Sequence, residues 1–247
     1  MKIQAIKTRK FLPPKDNLWE LLEESLPKLE ENSIVIVTSK IVSIAEGRCV
    51  SLNGISKDDL AKKEADFFLE RDEVPGKWFL HTLKNNHLIA SSGIDQSNAN
   101  NYLILWPKNP EKSVKRIWEF LRKKYGVANI GVIVTDSHSV PLHRGLVGMA
   151  IAFFGFEPLR DYRGKKDVFG KKLLMSQTNI PDSLASAAVF TMGEGSEQTP
   201  IAIISELSSM VKFSERHPAD NGKGFLVTLK DDLFYPFLKS APWKRRV

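Results

Sequence analysis

Three polar stretches, far apart in the chain, carry the residue types that chemistry on a charged ligand needs. The first is Val132-Ile-Val-Thr-Asp136-Ser137-His138-Ser139-Val140-Pro141-Leu142-His143-Arg144-Gly145. It opens as a β-branched apolar run, the signature of a buried strand, and stops abruptly in Asp, Ser and His. Polar side chains at the end of a buried strand meet solvent or a cleft, and α/β proteins bind ligands at such ends. The same Thr-Asp-Ser run also reads as an ordinary turn, since Asp and Ser hydrogen-bond their own backbone. The second stretch, Ser91-Ser92-Gly93-Ile94-Asp95-Gln96-Ser97-Asn98, places a glycine, a carboxylate and an amide within six residues. It is either a pair of Asx-turns or a loop in which Asp95 holds a cation and Asn98 reads a ligand. In the third, Met192-Gly193-Glu194-Gly195-Ser196-Glu197-Gln198-Thr199, two glycines bracket a carboxylate. Glycine lets backbone amides approach a phosphate closely, but Glu194 repels that phosphate unless a cation stands between them. The bland alternative is a flexible loop from helix to strand. No Gly-x-x-x-x-Gly-Lys-Ser/Thr loop and no Gly-x-Gly-x-x-Gly after a strand is present, so the standard nucleotide fingerprints are absent.

Composition narrows the classes. At 247 residues with 42% hydrophobic and 26% charged positions, the chain suits a globular protein with a sizeable core. No apolar run reaches the roughly 20 residues that span a bilayer, and the first ten residues lack the apolar centre of a signal peptide, so a cytoplasmic protein without membrane contact is expected. The single cysteine, Cys49, excludes a disulfide framework or thiolate metal cluster within the chain and reads as a partly buried small hydrophobe. The net charge of +7 is spread rather than gathered, Lys244-Arg245-Arg246 being the densest cluster. A dispersed positive balance fits an enzyme of polyanionic small molecules as well as it fits nucleic acid.

The elements that must position these loops read as α/β. A first strand candidate ends at Leu12-Pro13-Pro14, and Asp16-Asn17 caps an amphipathic run from Leu18. Ile34–Val37 reads as a buried strand running into Thr38-Ser39-Lys40, and Glu46-Gly47-Arg48 as a turn with a surface ion pair. Lys57 to Arg71 has a helical pattern with Leu60, Ala61, Phe67, Phe68 and Leu69 as its apolar stripe. Tyr102–Trp106 reads as a strand closed by Pro107, Ser113 to Tyr125 as an amphipathic helix ended near Gly126, and Met149–Phe154 as an apolar run. Pro158 to Gly170 is a polar connector, Pro181-Asp182 starts a small-residue helix to Val189, and Ile201–Ile204 is a strand. The aromatic patch Phe234-Tyr235-Pro236-Phe237 is expected to pack back on the body.

Taken together, Val37-Thr-Ser-Lys-Ile-Val-Ser-Ile-Ala-Glu-Gly-Arg48, Gly93-Ile-Asp-Gln-Ser-Asn98, Thr135-Asp-Ser137 with Arg144-Gly145, Asp161-Tyr-Arg-Gly164 with Asp167 and Gly170, and Met192-Gly-Glu-Gly195 resemble the coenzyme F420-0:L-glutamate ligase family, in the family's order. The resemblance covers roughly residues 1 to 207. It implies an α/β (α+β) protein with mixed sheets, in two interleaved lobes, with 208–247 as an extension packing on the body. It further implies a homodimeric, nucleotide- and metal-dependent ligase that adds γ-linked L-glutamate to an acidic acceptor through an acyl phosphate. The implied nucleotide is GTP, with ATP not distinguished from it, and the implied ions are two Mg²⁺ or Mn²⁺ with a place for K⁺. Asp95 and Asp136 would hold one metal, Ser137 and Glu194 a second. Leu12, Pro13, Ser39, Lys40, Asn98, Met192, Gly193, Gly195 and Ser196 would surround the nucleotide, and Asp136, Arg144 and Arg163 would serve the reaction, an arginine holding an acidic substrate. Hard oxygen donors of this kind suit Mg²⁺ or Mn²⁺ rather than zinc.

The chain departs from the family where Ile44 replaces its usual lysine and where Ser139-Val140 follows the Asp-Ser pair. His138 and His143 are added nearby and read as surface residues first, metal ligands or a proton relay second. The alternatives are glutamate ligation to a folate-type acceptor, and a non-catalytic homologue that binds nucleotide or RNA; among partners, small molecules are expected and nucleic acid is not.

Overall fold

A computed structural model describes residues 1–207, 209–215 and 224–246. Its centre is a five-stranded sheet in the order β1-β12-β2-β8-β9, built from β1 (Lys2–Ile6), β2 (Ser33–Thr38), β8 (Ile130–Ser139), β9 (Leu146–Phe154) and β12 (Ile201–Ser205). Only β2 and β8 run parallel, so the sheet is mixed. Both are continuous apolar runs because both faces of the sheet are covered. Val35, Val37, Val132 and Val134 face a core made with α1 (Leu18–Ser25), α2 (Ser39–Ala45) and α4 (Pro110–Tyr125). The alternate residues Ile34, Ile36 and Ile133 pack on α5 (Ile180–Met192). Period-two alternation thus gives each strand two apolar faces and the protein three layers.

The helices begin and end where their residues dictate. Asn17 caps α1 by accepting from the amides of Trp19 and Glu20, and Asn109 caps α4 by accepting from Lys112. Gly126, at φ 66°, closes α4 in the left-handed conformation that glycine adopts without a Cβ penalty. Asn179 caps α5, which leaves Asp182 free to bond elsewhere. The Asp182 Oδ1 accepts from the Ala150 amide at 2.8 Å, tying the helix to β9.

A second lobe lies beside the sheet's strand ends. It contains β3 (Cys49–Ser51) paired with β7 (Tyr102–Ile104), and a four-stranded sheet ordered β13-β4-β5-β6, from β4 (Phe67–Leu69), β5 (His81–Lys84), β6 (His87–Ala90) and β13 (Lys244–Arg245). Its interior holds Glu64, which accepts from Arg48 and Lys84 at 2.7 Å each. Arg48 also donates to the Trp106 carbonyl at 3.0 Å. The ion pair read within Glu46-Gly47-Arg48 is therefore not formed. Glu46 instead accepts from the Lys108 amide at 3.1 Å and from the Ser113 hydroxyl.

Three other expectations are corrected. Helix α3 (Lys57–Glu64) stops seven residues short of Arg71, and Phe67–Leu69 is a strand paired with His81–Leu83. Ala65 is extended at ψ 152°, and bulky Phe67-Phe68-Leu69 pairs with a strand whose partner lies outside its own window. The first strand ends at Ile6, and residues 7–16 form a loop with a cis Pro13-Pro14 peptide. The aromatic patch does not pack inward: Phe234, which precedes the four-residue helix α6 (Tyr235–Leu238), and Phe237 within it are 64% and 74% exposed. Residues 208, 216–223 and 247 of the C-terminal extension lie outside the described residues, while Phe225 stacks edge-on against Phe153 and β13 joins the edge of β4.

Cys49 is half-buried, as expected, and burial pushes its thiol up. Among the described residues no helix is long and apolar enough to cross a membrane.

Candidate functional site

The parallel pairing of β2 with β8 ends at Thr38 opposite Thr135; beyond that line β2 turns into α2 with Ser39 and Lys40, while β8 continues beside β9 with Asp136 and Ser137. There a cleft of about 870 Å³ opens. Its walls include Leu12 and Pro13 of the first loop, Ser39 and Lys40, Asp95 and Asn98, Asp136 and Ser137, and the loop from Met192 to Pro200. The carboxyl ends of adjacent parallel strands are where open α/β sheets bind ligands, because loops there diverge and leave a crevice.

Asp95 arrives from the second lobe. Its backbone exchanges hydrogen bonds with Ile104 of β7, its amide donating at 2.9 Å and its carbonyl accepting at 2.8 Å. Its side chain accepts from the Ser97 amide and hydroxyl at 2.8 Å each, and pairs with Lys40 at 2.6 Å. Burial opposes its ionisation, but the Lys40 charge and the two Ser97 donors outweigh it and hold the carboxyl below its usual range. The Asx-turn and the ligand-binding readings of this loop are thus compatible, for the turn presents Asp95 to the cleft. Lys40 also donates to the Ser97 carbonyl at 2.9 Å, so its charge is already committed.

Asp136 is in different surroundings. Burial pushes its carboxyl up to about 6, although the Trp106 indole N–H and the Ser137 amide both donate to it. The charge of Asp95 pushes the same way, which places the two carboxylates within mutual electrostatic reach. Next to it, the Ser137 hydroxyl donates to Glu194 Oε1 at 2.5 Å. The Asn98 side-chain amide donates to the Gly195 carbonyl at 2.8 Å, tying the Asp95 loop to the glycine loop. Gly195 in turn donates its amide to Glu197 Oε2 at 2.8 Å. The glycine loop therefore already presents a backbone N–H to an anion, here supplied by the protein's own carboxylate.

The structure brings together Leu12, Pro13, Ser39, Lys40, Asp95, Asn98, Asp136, Ser137, Met192, Gly193, Glu194, Gly195 and Ser196 around one cleft. It does not bring Arg144 or Arg163 there. Arg144 is exposed in the turn between β8 and β9, and Arg163 is exposed and paired with Asp161 at 2.6 Å. His138 is half-buried on β8, where burial pushes its imidazole down, and His143 is exposed with Nδ1 2.9 Å from the Pro141 carbonyl. Neither lines the cleft. Ile44 does line it, yet is 1% exposed and packed with Ala99 and Ile104, so this position contributes an apolar floor.

Sequence reasoning missed Trp106, Arg9 and Lys10. Trp106 read as the apolar end of a strand, and nothing in Leu105-Trp106-Pro107 signals a partner 30 residues on. Arg9 and Lys10 line the cleft, and Arg9 grips Asp16 at 2.7 and 2.9 Å while Asp16 accepts from the Leu12 amide at 2.9 Å. These contacts hold the Leu12-Pro13 rim in place.

The donors facing the cleft are carboxylates and hydroxyls, the set that hard divalent cations take. The charge of Asp95 raises the proton affinity of Asp136, which marks a place where added positive charge is favourable. Among the described residues no three His, Cys, Asp or Glu side chains converge as a finished metal cage. Asp95 with Asp136, and Glu194 with Ser137, have the oxygen donors that could serve as partial ligand sets of the kind Mg²⁺ sites complete with phosphate and water.

Fold and cleft together define a mixed α/β protein with a polar cleft beyond the paired ends of its parallel strands. The chain matches the model of the F420-0:gamma-glutamyl ligase family over residues 6–206 and belongs to that family. It is 33% identical to the coenzyme F420:L-glutamate ligase of Methanopyrus kandleri, over 82% of this chain and 86% of that protein. The enzyme of the same name from Methanocaldococcus jannaschii is 34% identical over 84% and 85%, and that of Halorubrum lacusprofundi 30% over 83% and 86%.

Proposed function

We propose that this protein joins the amine of L-glutamate to a carboxyl group of an acidic acceptor, F420-0 being the family's default, and draws the energy from GTP. The observation that carries this reading is the single cleft holding Asp95, Asp136 and Glu194 in a chain of the ligase family. A carboxylate does not react with an amine until one of its oxygens becomes a leaving group. The acceptor carboxylate oxygen attacks the γ-phosphorus, and the nucleoside diphosphate departs. The glutamate amine then attacks the acyl carbon, phosphate leaves with the former carboxylate oxygen, and the nitrogen gives up a proton.

The chain's own residues bind and orient in this scheme. Asn98 and the glycine loop would form one wall around the nucleotide, Ser39 and Lys40 follow the end of β2, and the Leu12-Pro13 rim lines the same cleft. Asp95 and Asp136 would hold one Mg²⁺ or Mn²⁺, and Ser137 with Glu194 a second. When bound, such ions neutralise phosphate charge and align in-line transfer. The partners of this reading are anionic small ligands rather than nucleic acid, and its setting is the cytoplasm.

The working unit of this reading is a homodimer. Leu142, Leu146, Val168, Phe169, Leu174 and Met175 expose between 57% and 105% of their surface around the β8–β9 turn and the segment that follows β9. Exposed large apolar residues of this kind are a common mark of a protein interface.

The test is amide formation by purified protein with L-glutamate, GTP or ATP, and Mn²⁺ or Mg²⁺, offering F420-0 and dihydropteroate in parallel and following diphosphate release. Product with F420-0 and GTP is expected. A folded protein that binds neither nucleotide in the presence of divalent metal and yields no product with either acceptor would overturn the reading.

A further inference from the structure

Trp106 is not a residue that the cleft itself requires. It is 1% exposed and lies behind the wall, yet its indole Nε1–H donates to Oδ2 of Asp136. The ring is held on several sides. The His87 imidazole meets it edge-on at 5.4 Å, and the Lys84 ammonium stands 5.6 Å from its centre. Gly93 leaves the space that the ring occupies: a Cβ there would come within 2.1 Å of Nε1, and Gly93 adopts φ 69°, a conformation that other residues rarely take.

Gly93 belongs to the turn that leads into Asp95, and Asp95 is bonded through its backbone to Ile104, two residues before Trp106. One short stretch, 104–106, therefore grips both carboxylate-bearing loops, the first by backbone pairing and the second by an indole N–H. The carboxylate of Asp136 accepts from Trp106 on one oxygen and from the Ser137 amide on the other. Each oxygen retains a lone pair, and the plane of the group is fixed.

We propose that Trp106 is a positioning residue, setting the orientation of the Asp136 carboxylate and its spacing from Asp95 so that the two receive a divalent cation together. This rests on the reading of Asp95 and Asp136 as metal ligands. Donors to a ligating carboxylate typically govern metal affinity by about 10- to 100-fold when removed. A ring that merely filled space would not.

The experiment is Mn²⁺ binding to the full chain without nucleotide, followed by electron paramagnetic resonance, in wild type, Trp106→Phe and Trp106→Leu, with circular dichroism and thermal melting as checks of folding. Phe keeps an aromatic ring and loses the N–H; Leu loses both. The proposal expects Mn²⁺ to bind about 10-fold or more weakly in both variants, with the loss in Phe no smaller than in Leu. It also expects the loss to vanish when Trp106→Phe is placed on an Asp136→Asn background, since no carboxylate remains to be oriented. Wild-type affinity in a folded Phe variant overturns the proposal alone and assigns the ring to packing. Absence of Mn²⁺ binding by folded wild type overturns the metal reading beneath it.

A second measurement covers variants that fail to fold. The chain has five tryptophans, so five indole N–H resonances are expected in the wild-type protein. The resonance hydrogen-bonded to Asp136 is expected to shift on addition of Mg²⁺ and to be broadened by Mn²⁺ before the others. Mg²⁺ binding with no perturbation of any indole resonance would overturn the proposal.

Discussion

The cleft and a second, exposed segment, made of the β8–β9 turn and residues 159–176, were candidates for the same site, and they differ in almost every physical respect. Cleft residues sit at the ends of regular strands, bonded across loops that are far apart in sequence, as in Asn98 to Gly195 and Ser137 to Glu194. The other segment is exposed and held by local bonds, with Arg163 tied to Asp161 two residues away and Gly170 to Asp167. It exposes apolar residues such as Val168 and Phe169, whereas the cleft is lined by carboxylates and hydroxyls. Membership in a family pattern therefore does not imply nearness in one protomer, and the two regions should respond differently to mutation.

The largest contrast is expected at Asp136. Asp136→Asn should lower ligase turnover by about a thousandfold or more, the order seen when a central charge-handling group is lost, while circular dichroism remains that of the native fold. Turnover within tenfold of wild type would break the assignment of the cleft. Glu194→Gln should weaken Mn²⁺ dependence by about 10- to 100-fold, read as the metal concentration for half-maximal rate. Gly148→Ala tests how the glycine loop is delivered. A Cβ there would come 2.5 Å from the Ala185 carbonyl and 2.7 Å from Val189, forcing α5 away from β9, and a loss of about 1–3 kcal/mol in urea unfolding is expected.

In the exposed segment, by contrast, Arg163→Ala and Arg144→Ala should leave nucleotide KM within about twofold, because neither side chain lines the cleft and surface substitutions are usually mild. A tenfold rise in nucleotide KM would show that the division between the two regions is false. The smallest effect is expected at the rim. Arg9 and two backbone amides hold the Asp16 carboxyl down to about 2 from 3.8. A depressed acid stabilises the folded state above its unfolded value and loses that contribution as pH falls. Asp16→Asn should accordingly destabilise by the same modest amount at pH 6 and pH 8, with the difference from wild type shrinking below about pH 4. A difference that instead grows on acidification would refute this role for the rim.

How much was legible follows from the range of each interaction. Strand β8, helix α4 with its Gly126 stop, the small-residue helix α5 and strand β12 could be read because their signals are local: β-branched runs, caps, and apolar spacing within a dozen residues. The break at Ala65 could not, since Phe67–Leu69 becomes a strand only by pairing with His81–Leu83. Arg48 could not be assigned either, because Glu64 competes for it better than the adjacent Glu46.

The sequence alone determined the α/β class, the three polar loops, and, through the resemblance those loops carry, the ligase family. Each depends on residue type and short spacing, which the chain states directly. Only the tertiary structure decided that Asp95, Asp136 and Glu194 share one cleft, that Arg144 and Arg163 stand outside it, that Lys40 is committed to Asp95, and that Trp106 reaches Asp136. Those relations depend on where the pairing of β2 with β8 ends and on the stacking of a second lobe beside it. Such contacts join residues dozens of positions apart, and they form only once buried surface has fixed the layers.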